Sequence, residues 1–359
     1  MEEGLTFDDV LLLPGYTDFK RADVDLTARL HPTITLKLPI ISSPMDTVTE
    51  SAMARSLALA GGLGIIHRNL TVAGQADMVA DIKKEKLLVG AAVGVGSDFE
   101  ERVKALVNVQ TDVLVIDSGH GNTKFMMDAI RFIKKNYPKT ALMAGNIATA
   151  DGAKRLIAAG ADILRVGMGP GSICTTRIVT GMGVPQLSAI ADATRAARAT
   201  KAKRVTIVAD GGIRQIGDMA KALAAGAHAV MLGSLLAGFD ESPGKTVSLN
   251  GKKYKEYRGM GSIASMQKGS AERYGQSAQT KGRKLIAEGV EGLVAYKGAI
   301  GEYLDQVAGS LKSSFYYIGA QTLAEFQKKA KFIRITPASM EESHPHSITV
   351  VDAGKNYQI

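Results

Sequence analysis

A-L-M-A-G-N-I-A-T-A-D-G-A-K-R-L-I-A-A-G-A-D-I-L-R-V-G, Ala141 to Gly167, carries the fold in miniature. A short apolar run, Ala141–Gly145, is followed by an Ala-rich amphipathic stretch, Ala150–Ala159, and by a second apolar run, Ile163–Gly167. That is strand, helix, strand. Working outward, the same rhythm begins at Leu38. The other strand-like runs are Pro39–Ser42, Leu63–His67, Leu88–Val93, Val113–Asp117, Val205–Ala209 and Ala229–Leu232. Helix-like stretches lie between them at Ser51–Ala60, Thr71–Lys86, Phe99–Val107, Thr123–Asn136, Leu187–Ala199 and Ile216–Ala225. Such alternation makes an α/β protein with a parallel sheet, and eight units over roughly 200–250 residues are the signature of a (β/α)8 TIM barrel. A doubly wound sheet competes, but no G-x-G-x-x-G follows the first strand. The chain, 1–359, therefore reads as a single barrel domain with an N-terminal arm, a long mobile flap at about 250–300 and a C-terminal tail.

The arm, Met1 to Lys37, has little periodicity. Its D-D-V-L-L-L-P-G-Y run, Asp8 to Tyr16, suggests a short strand ended by a Pro-Gly turn. Beyond Leu235 the rhythm stops. Asn250-Gly251 between apolar neighbours predicts a hairpin turn. Tyr257 to Gly298 is polar and glycine-rich, and a long structureless loop in a compact domain is usually functional; here it reads as a flap over the barrel mouth. Asp305 to Lys331 reads as helical, and E-S-H-P-H-S, Glu342 to Ser347, as an irregular polar end.

A 45% hydrophobic composition supplies a large core, and 22% charged residues exclude a disordered chain. One cysteine excludes an internal disulfide and fits a reducing compartment. Met1 is followed by Glu2 and Glu3 instead of a basic and apolar leader, and no apolar run spans a bilayer, so a cytoplasmic protein without membrane contact is expected. The formal charge of +9 is scattered; its densest groups are Lys201-Ala202-Lys203-Arg204 and Lys252-Lys253 with Lys255. With no Trp and 5% aromatics there is little stacking surface, so a solvated basic face is expected, not a nucleic-acid partner. The six histidines lack zinc-type spacing with other ligands.

In a barrel, chemistry sits where strands end, at the C-terminal face. Unusual residues fall there: Ser42-Ser43-Pro44-Met45-Asp46, His67-Arg68-Asn69, Asp117-Ser118-Gly119-His120-Gly121, Gly145-Asn146, Asp210-Gly211-Gly212 and Gly233-Ser234. Barrels often bind phosphate after strands seven and eight, where these last two glycine-rich ends lie. Strand six runs into R-V-G-M-G-P-G-S-I-C-T-T-R, Arg165 to Arg177, with the lone Cys174. Glycines at this density allow close approach to a ligand, and the loop can turn N–H groups or carbonyls around an ion. Arg177 places positive charge near the thiol, and thiolate is the reactive form. A buried structural cysteine is the bland alternative.

These motifs resemble the inosine-5′-monophosphate (IMP) dehydrogenases. The resemblance spans nearly the whole chain and rests on S-S-P-M-D-T-V-T-E from Ser42, D-S-G-H-G from Asp117, A-G-N-I-A-T from Ala144, G-P-G-S-I-C-T-T-R from Gly169, A-D-G-G-I from Ala209, Y-R-G-M-G-S from Tyr257 and E-R-Y-G-Q from Glu272. One departure stands out. The family usually carries paired cystathionine-β-synthase-type (CBS) regulatory modules between strands two and three, and residues 70–87 leave no room for them.

The resemblance implies oxidation of IMP to xanthosine monophosphate (XMP) with NAD⁺ and water, in guanine nucleotide synthesis. Cys174 would be the nucleophile, with Arg273 as base in the water step, Tyr274 and Thr176 positioning the water, and Glu288 a secondary base. IMP would meet Ser43, Met45, Ser172, Asp210, Gly212, Gly233, Ser234, Tyr257, Gly259, Met260, Gly261 and Glu288. NAD would lie by Asp117, Ser118, Asn146, Arg165 and Gly167. K⁺ would sit on carbonyls of Gly169, Gly171 and Cys174, completed by Glu342, Ser343 and His344 of a neighbouring subunit, which implies a homotetramer. Two alternatives stay open. GMP reductase shares the barrel and cysteine loop and typically lacks the modules, but E-R-Y-G-Q counts against a reaction without hydrolysis. A non-catalytic nucleotide-binding scaffold has no use for an intact Cys174 and a complete rim.

Overall fold

The computed structural model describes residues 3–200, 205–276, 285–354 and 357. Its centre is a closed barrel of parallel strands: β1 (Ile40–Ser42), β2 (Leu63–Ile66), β3 (Val89–Val93), β4 (Val113–Asp117), β5 (Ala141–Ile147), β6 (Ile163–Val166), β7 (Thr206–Asp210) and β8 (Ala229–Leu232). Around it run α1 (Ser51–Leu59), α2 (Val72–Lys84), α3 (Phe99–Asn108), α4 (Lys124–Asn136), α5 (Ala150–Ala159), α6 (Gln186–Ala199), α7 (Ile216–Ala224) and α8 (Gly301–Ile318). The expected barrel is therefore present. Threonines 71, 123 and 149 each accept a backbone N–H and start α2, α4 and α5.

The strands alternate in and out. Ile41, Leu63, Ile65, Val113, Val115, Met143, Val208 and Met231 fill the lumen, while Ile40, Ile66, Leu114, Ile116, Leu142 and Leu164 pack toward the helices. A hairpin that the sequence reading missed, Ala28–His31 with Ile34–Leu36, sends Leu30, Ile34 and Leu36 into the lumen cluster. Thr206 Oγ1, at the start of β7, donates to the Leu30 carbonyl at 2.7 Å. This hairpin plugs the N-terminal end of the barrel and leaves the opposite end for ligands.

Helix α1 lies close on β2 because Gly64 has no side chain. A Cβ there would overlap Ala54 Cα and Cβ, so one element must move. Gly64→Ala is expected to cost about 1–3 kcal/mol by overpacking, read as a lowered midpoint in urea unfolding.

Between β8 and α8 the chain leaves the barrel. Thr246–Leu249, Lys252–Arg258 and Glu291–Ala295 form a three-stranded antiparallel sheet. The Asn250-Gly251 turn is as expected, with φ of 51° and 76°, the signs a type I′ turn requires. The flap is less irregular than its composition suggested: Glu291–Ala295 pairs with Lys252–Arg258, and Met266–Tyr274 is coiled into helical turns. Residues 277–284 of it, and the basic cluster at 201–204, lie outside the described residues. Lys255 corrects the reading of a solvated basic face. It is 4% exposed, and its Nζ donates to the carbonyls of Phe239, Asp240 and Ser242.

The helical stretch read as Asp305 to Lys331 begins earlier, at Gly301, and is broken at Gly319, where φ is 78°; a second helix is Leu323–Lys329. Val10–Leu12 pairs antiparallel with Phe332–Arg334, fastening the arm to the far end of the chain. Among the described residues no helix is long and apolar enough to cross a membrane.

Candidate active site

A cavity of about 410 Å³ opens at the C-terminal face of the barrel. Nearly all residues expected to bind ligand line it: Ser43 and Met45 after β1, Asn146, Arg165 and Gly167 around β5 and β6, Asp210 and Gly212 after β7, and Gly233 and Ser234 after β8. The cysteine loop contributes Gly169, Gly171, Ser172, Cys174 and Thr176, and the excursion contributes Tyr257, Gly259, Met260, Gly261, Arg273, Tyr274 and Glu288. Asp117 and Ser118 do not line it, although Gly119 does. Glu342, Ser343 and His344 are also elsewhere within this chain, with His344 Nδ1 2.9 Å from the Tyr357 hydroxyl.

Cys174 is partly exposed, not sealed in the core. Its loop is clamped by backbone. Cys174 N–H donates to Gly171 O at 3.0 Å, Thr175 N–H to Glu288 O at 3.0 Å, and Val290 N–H to Ile173 O at 3.0 Å. The 288–290 segment is tied in turn to 259–261, through Gly259 N–H to Val290 O at 2.9 Å and Glu288 N–H to Gly261 O at 3.0 Å. Cys174 Sγ lies 3.2 Å from Thr176 Oγ1, which donates to Glu288 Oε2 at 2.9 Å. Thiol, hydroxyl and carboxylate thus form a directed chain along which the thiol proton can leave. Arg177 has a structural task beside it, since its guanidinium donates to the carbonyls of Met168 and Val184 and fills space left by Gly169 and Gly183.

A charged cluster underlies the other side of the mouth. Arg165 is 2% exposed and pairs with Asp117 through one nitrogen and with Asp210 Oδ2 at 2.8 Å through Nε. Between Gly145 and Ile147 the ladder to β6 shifts register, which turns Asn146 out of the pairing. Its Nδ2 donates to Asp210 Oδ2 at 2.7 Å and to Gly167 O at 2.8 Å. Both contacts on Asp210 use Oδ2. Beyond Asp210, Gly211 and Gly212 have φ of 88° and 77°, and this left-handed pair carries the backbone round the cavity floor.

The flap reaches across this cluster. Arg273 lies on the Asp117 carboxylate. Gly119 N–H donates to Arg273 O at 2.9 Å. Burial pushes the Tyr274 phenol above its ordinary pKa, with Arg273 acting in the opposite sense. Burial raises the Tyr257 phenol as well, partly offset by a hydrogen bond with Ser172. Both tyrosines therefore remain protonated donors across neutral pH.

Several lining residues were not expected. The arm places Thr6, Phe7 and Asp8 in the wall, with Asp8 paired to Arg214. Gln186 is fully buried at the start of α6; its Nε2 donates to Val166 O at 2.9 Å and Asp210 O at 3.0 Å, holding the ends of β6 and β7 together. A lone glutamine after a proline carries no motif, and only the folded barrel reveals its task.

The family model described as the IMP dehydrogenase / GMP reductase domain matches residues 4–346. The chain is 42% identical to the inosine-5'-monophosphate dehydrogenase of Borreliella burgdorferi, over 97% of this chain and 98% of that protein. It is 37% identical to the protein of the same name from Bacillus subtilis, over 100% of this chain and 98% of that one, and 38% identical to one from Staphylococcus aureus, over 99% and 98%. With a mouth built on the cysteine loop and these likenesses over nearly its full length, the chain belongs to the IMP dehydrogenase / GMP reductase family.

Proposed function

We propose that the chain oxidises IMP to XMP with NAD⁺ and water, through a covalent thioimidate on Cys174, as a step in guanine nucleotide synthesis. The observation that carries this reading is the Cys174–Thr176–Glu288 chain in a cavity shared with the glycine-rich ends of β7 and β8. The phosphate of IMP would lie on Ser172, Gly212, Gly233, Ser234 and Tyr257, and its ribose on the free Oδ1 of Asp210. Ser43, Met45, Gly259, Met260, Gly261 and Glu288 would surround the base.

Sulfur adds to carbon 2 of the purine as the thiol proton passes toward Thr176 and Glu288. The hydrogen on carbon 2 then leaves with its electron pair, and carbon 2 becomes a thioimidate. NAD⁺, when bound, supplies the acceptor for that hydride. Water next adds to carbon 2, gives up a proton to the enzyme, and the carbon–sulfur bond breaks to release XMP and restore the thiol. Arg273 would take that proton in its neutral form, away from the Asp117 carboxylate, with Tyr274 and Thr176 holding the water.

The residues suit the dinucleotide. Asp117 Oδ2 and Asn146 Oδ1 are buried without a hydrogen-bond partner, two acceptors for hydroxyl or carboxamide donors beside Ser118, Arg165 and Gly167. Asp117 also holds Arg273, so flap and cofactor would claim one carboxylate in turn. Carbonyls of Gly169, Gly171 and Cys174 are hard oxygen donors of the kind K⁺ takes, and Glu342, Ser343 and His344 from a second copy in a homotetramer would complete the set. A cytoplasmic setting fits the lone cysteine. The alignment with the Bacillus subtilis relative runs over 488 positions against 359 residues here, which fits a single barrel domain, 1–359, lacking inserted regulatory modules.

NADH absorbance is the direct test. Purified protein given IMP and NAD⁺ is expected to form NADH, faster with K⁺ than without a monovalent cation. NADPH-dependent conversion of GMP to IMP, with IMP and NAD⁺ inert, would establish the reductase instead. Nucleotide binding with neither turnover would leave a scaffold.

A further inference from the structure

Arg68 follows β2 and is 8% exposed, yet its Nε has no hydrogen-bond partner. Glycine at 94 leaves room for its guanidinium: a Cβ there would lie 2.7 Å from NH1 and force the side chain to shift. The nearby Asp98 carboxylate bonds Arg102 through Oδ2, at 2.8 Å from Nε, and makes no hydrogen bond to Arg68. Its ion-pair partner among the described residues comes from the flap: Glu272, 3.9 Å from NH1. Glu272 sits in a notch at Gly96, where any Cβ would overlap its carboxylate. The next flap residue is Arg273, whose carbonyl accepts from Gly119 N–H and whose backbone would be 3.1 Å from a Cβ at 119. Gly96 and Gly119 on the rim thus form a seat for residues 272–274, and Gly94 makes room for Arg68 beneath it. Burial, and after it the charge of Arg273, pull Arg68 down to about 10, so it remains a cation at neutral pH.

We propose that Arg68 is a positioning residue that seats the flap over the barrel mouth through Glu272, and so sets Arg273 for the water step. The last clause rests on the function proposed above; the seating itself does not. A buried cation left short of partners gains most from the one carboxylate that arrives with the flap. Glu272 touches neither the cavity nor the reacting atoms, and acts by fixing where its neighbour stands.

Glu272→Gln keeps shape and removes charge at a half-exposed position. Amide hydrogen exchange in the ligand-free protein reads the seating directly. The Gly119 amide, covered by Arg273, is expected to exchange about tenfold faster in E272Q, since contacting pairs couple by about 0.5–3 kcal/mol. Arg68→Gln is expected to do the same, and the double variant no more than either single one. Unchanged exchange at Gly119, or additive effects, overturns the proposal. In kinetics with IMP and NAD⁺, E272Q is expected to keep the first-turnover burst of NADH and lose about tenfold in kcat. An unaltered kcat, or a burst slowed equally, also overturns it. If the wild-type protein makes no NADH, the proposed function fails, and the exchange result still decides the seat.

Discussion

Cys174→Ala is expected to remove turnover, by about a hundred-thousand-fold or more, while IMP still binds. The loss is this large because nothing can stand in: Cys174 is the only cysteine of the chain, and the groups beside it, Thr176 and Glu288, are set to receive a proton from sulfur. Without the covalent bond, carbon 2 stays in the aromatic ring and is a poor hydride donor. Binding survives because the glycine ends of β7 and β8, Tyr257 and Asp210 are untouched. Calorimetric titration with IMP and a coupled NADH assay check both halves. Residual turnover within about a hundredfold of wild type would mean that sulfur is not the nucleophile.

Arg273→Ala is expected to slow release of XMP by about a hundred- to a thousandfold and to change hydride transfer only a few-fold. The variant would then give one rapid equivalent of NADH per subunit, followed by stalling, with the purine adduct on Cys174 detectable by intact mass. The fold is expected to tolerate the change. Asp117 is buried, and stripping a buried carboxylate of its partner is costly, but Asp117 keeps Arg165. Equal loss in both steps would remove Arg273 from the water step.

The barrel was legible because each strand is a short apolar run and the helices between them are Ala-rich and amphipathic, three of them opened by a capping threonine. The residues of the mouth were legible for the same reason: they stand where those runs stop. What escaped was structure that depends on a distant partner. Ala28–His31 and Ile34–Leu36 are too short and mixed to announce a hairpin, and gain their apolar burial only from the lumen above them. Glu291–Ala295 is largely exposed, so its pairing with Lys252–Arg258 leaves little hydrophobic trace. Phe332–Arg334 follows a helix directly and is a strand only because Val10–Leu12 lies beside it. Arg68 and Glu272 are far apart in the chain, and nothing local says that they meet.

The bond between Val10–Leu12 and Phe332–Arg334 also orders events at the ribosome. The arm emerges before the barrel and holds part of the wall that a nucleotide would touch, Thr6 to Asp8. The strand that pins it is translated only after all eight barrel strands. Until then a growing chain has its eight-fold core in hand but an unfinished pocket, so bound nucleotide would be expected to rescue the completed protein from unfolding without assisting its nascent form.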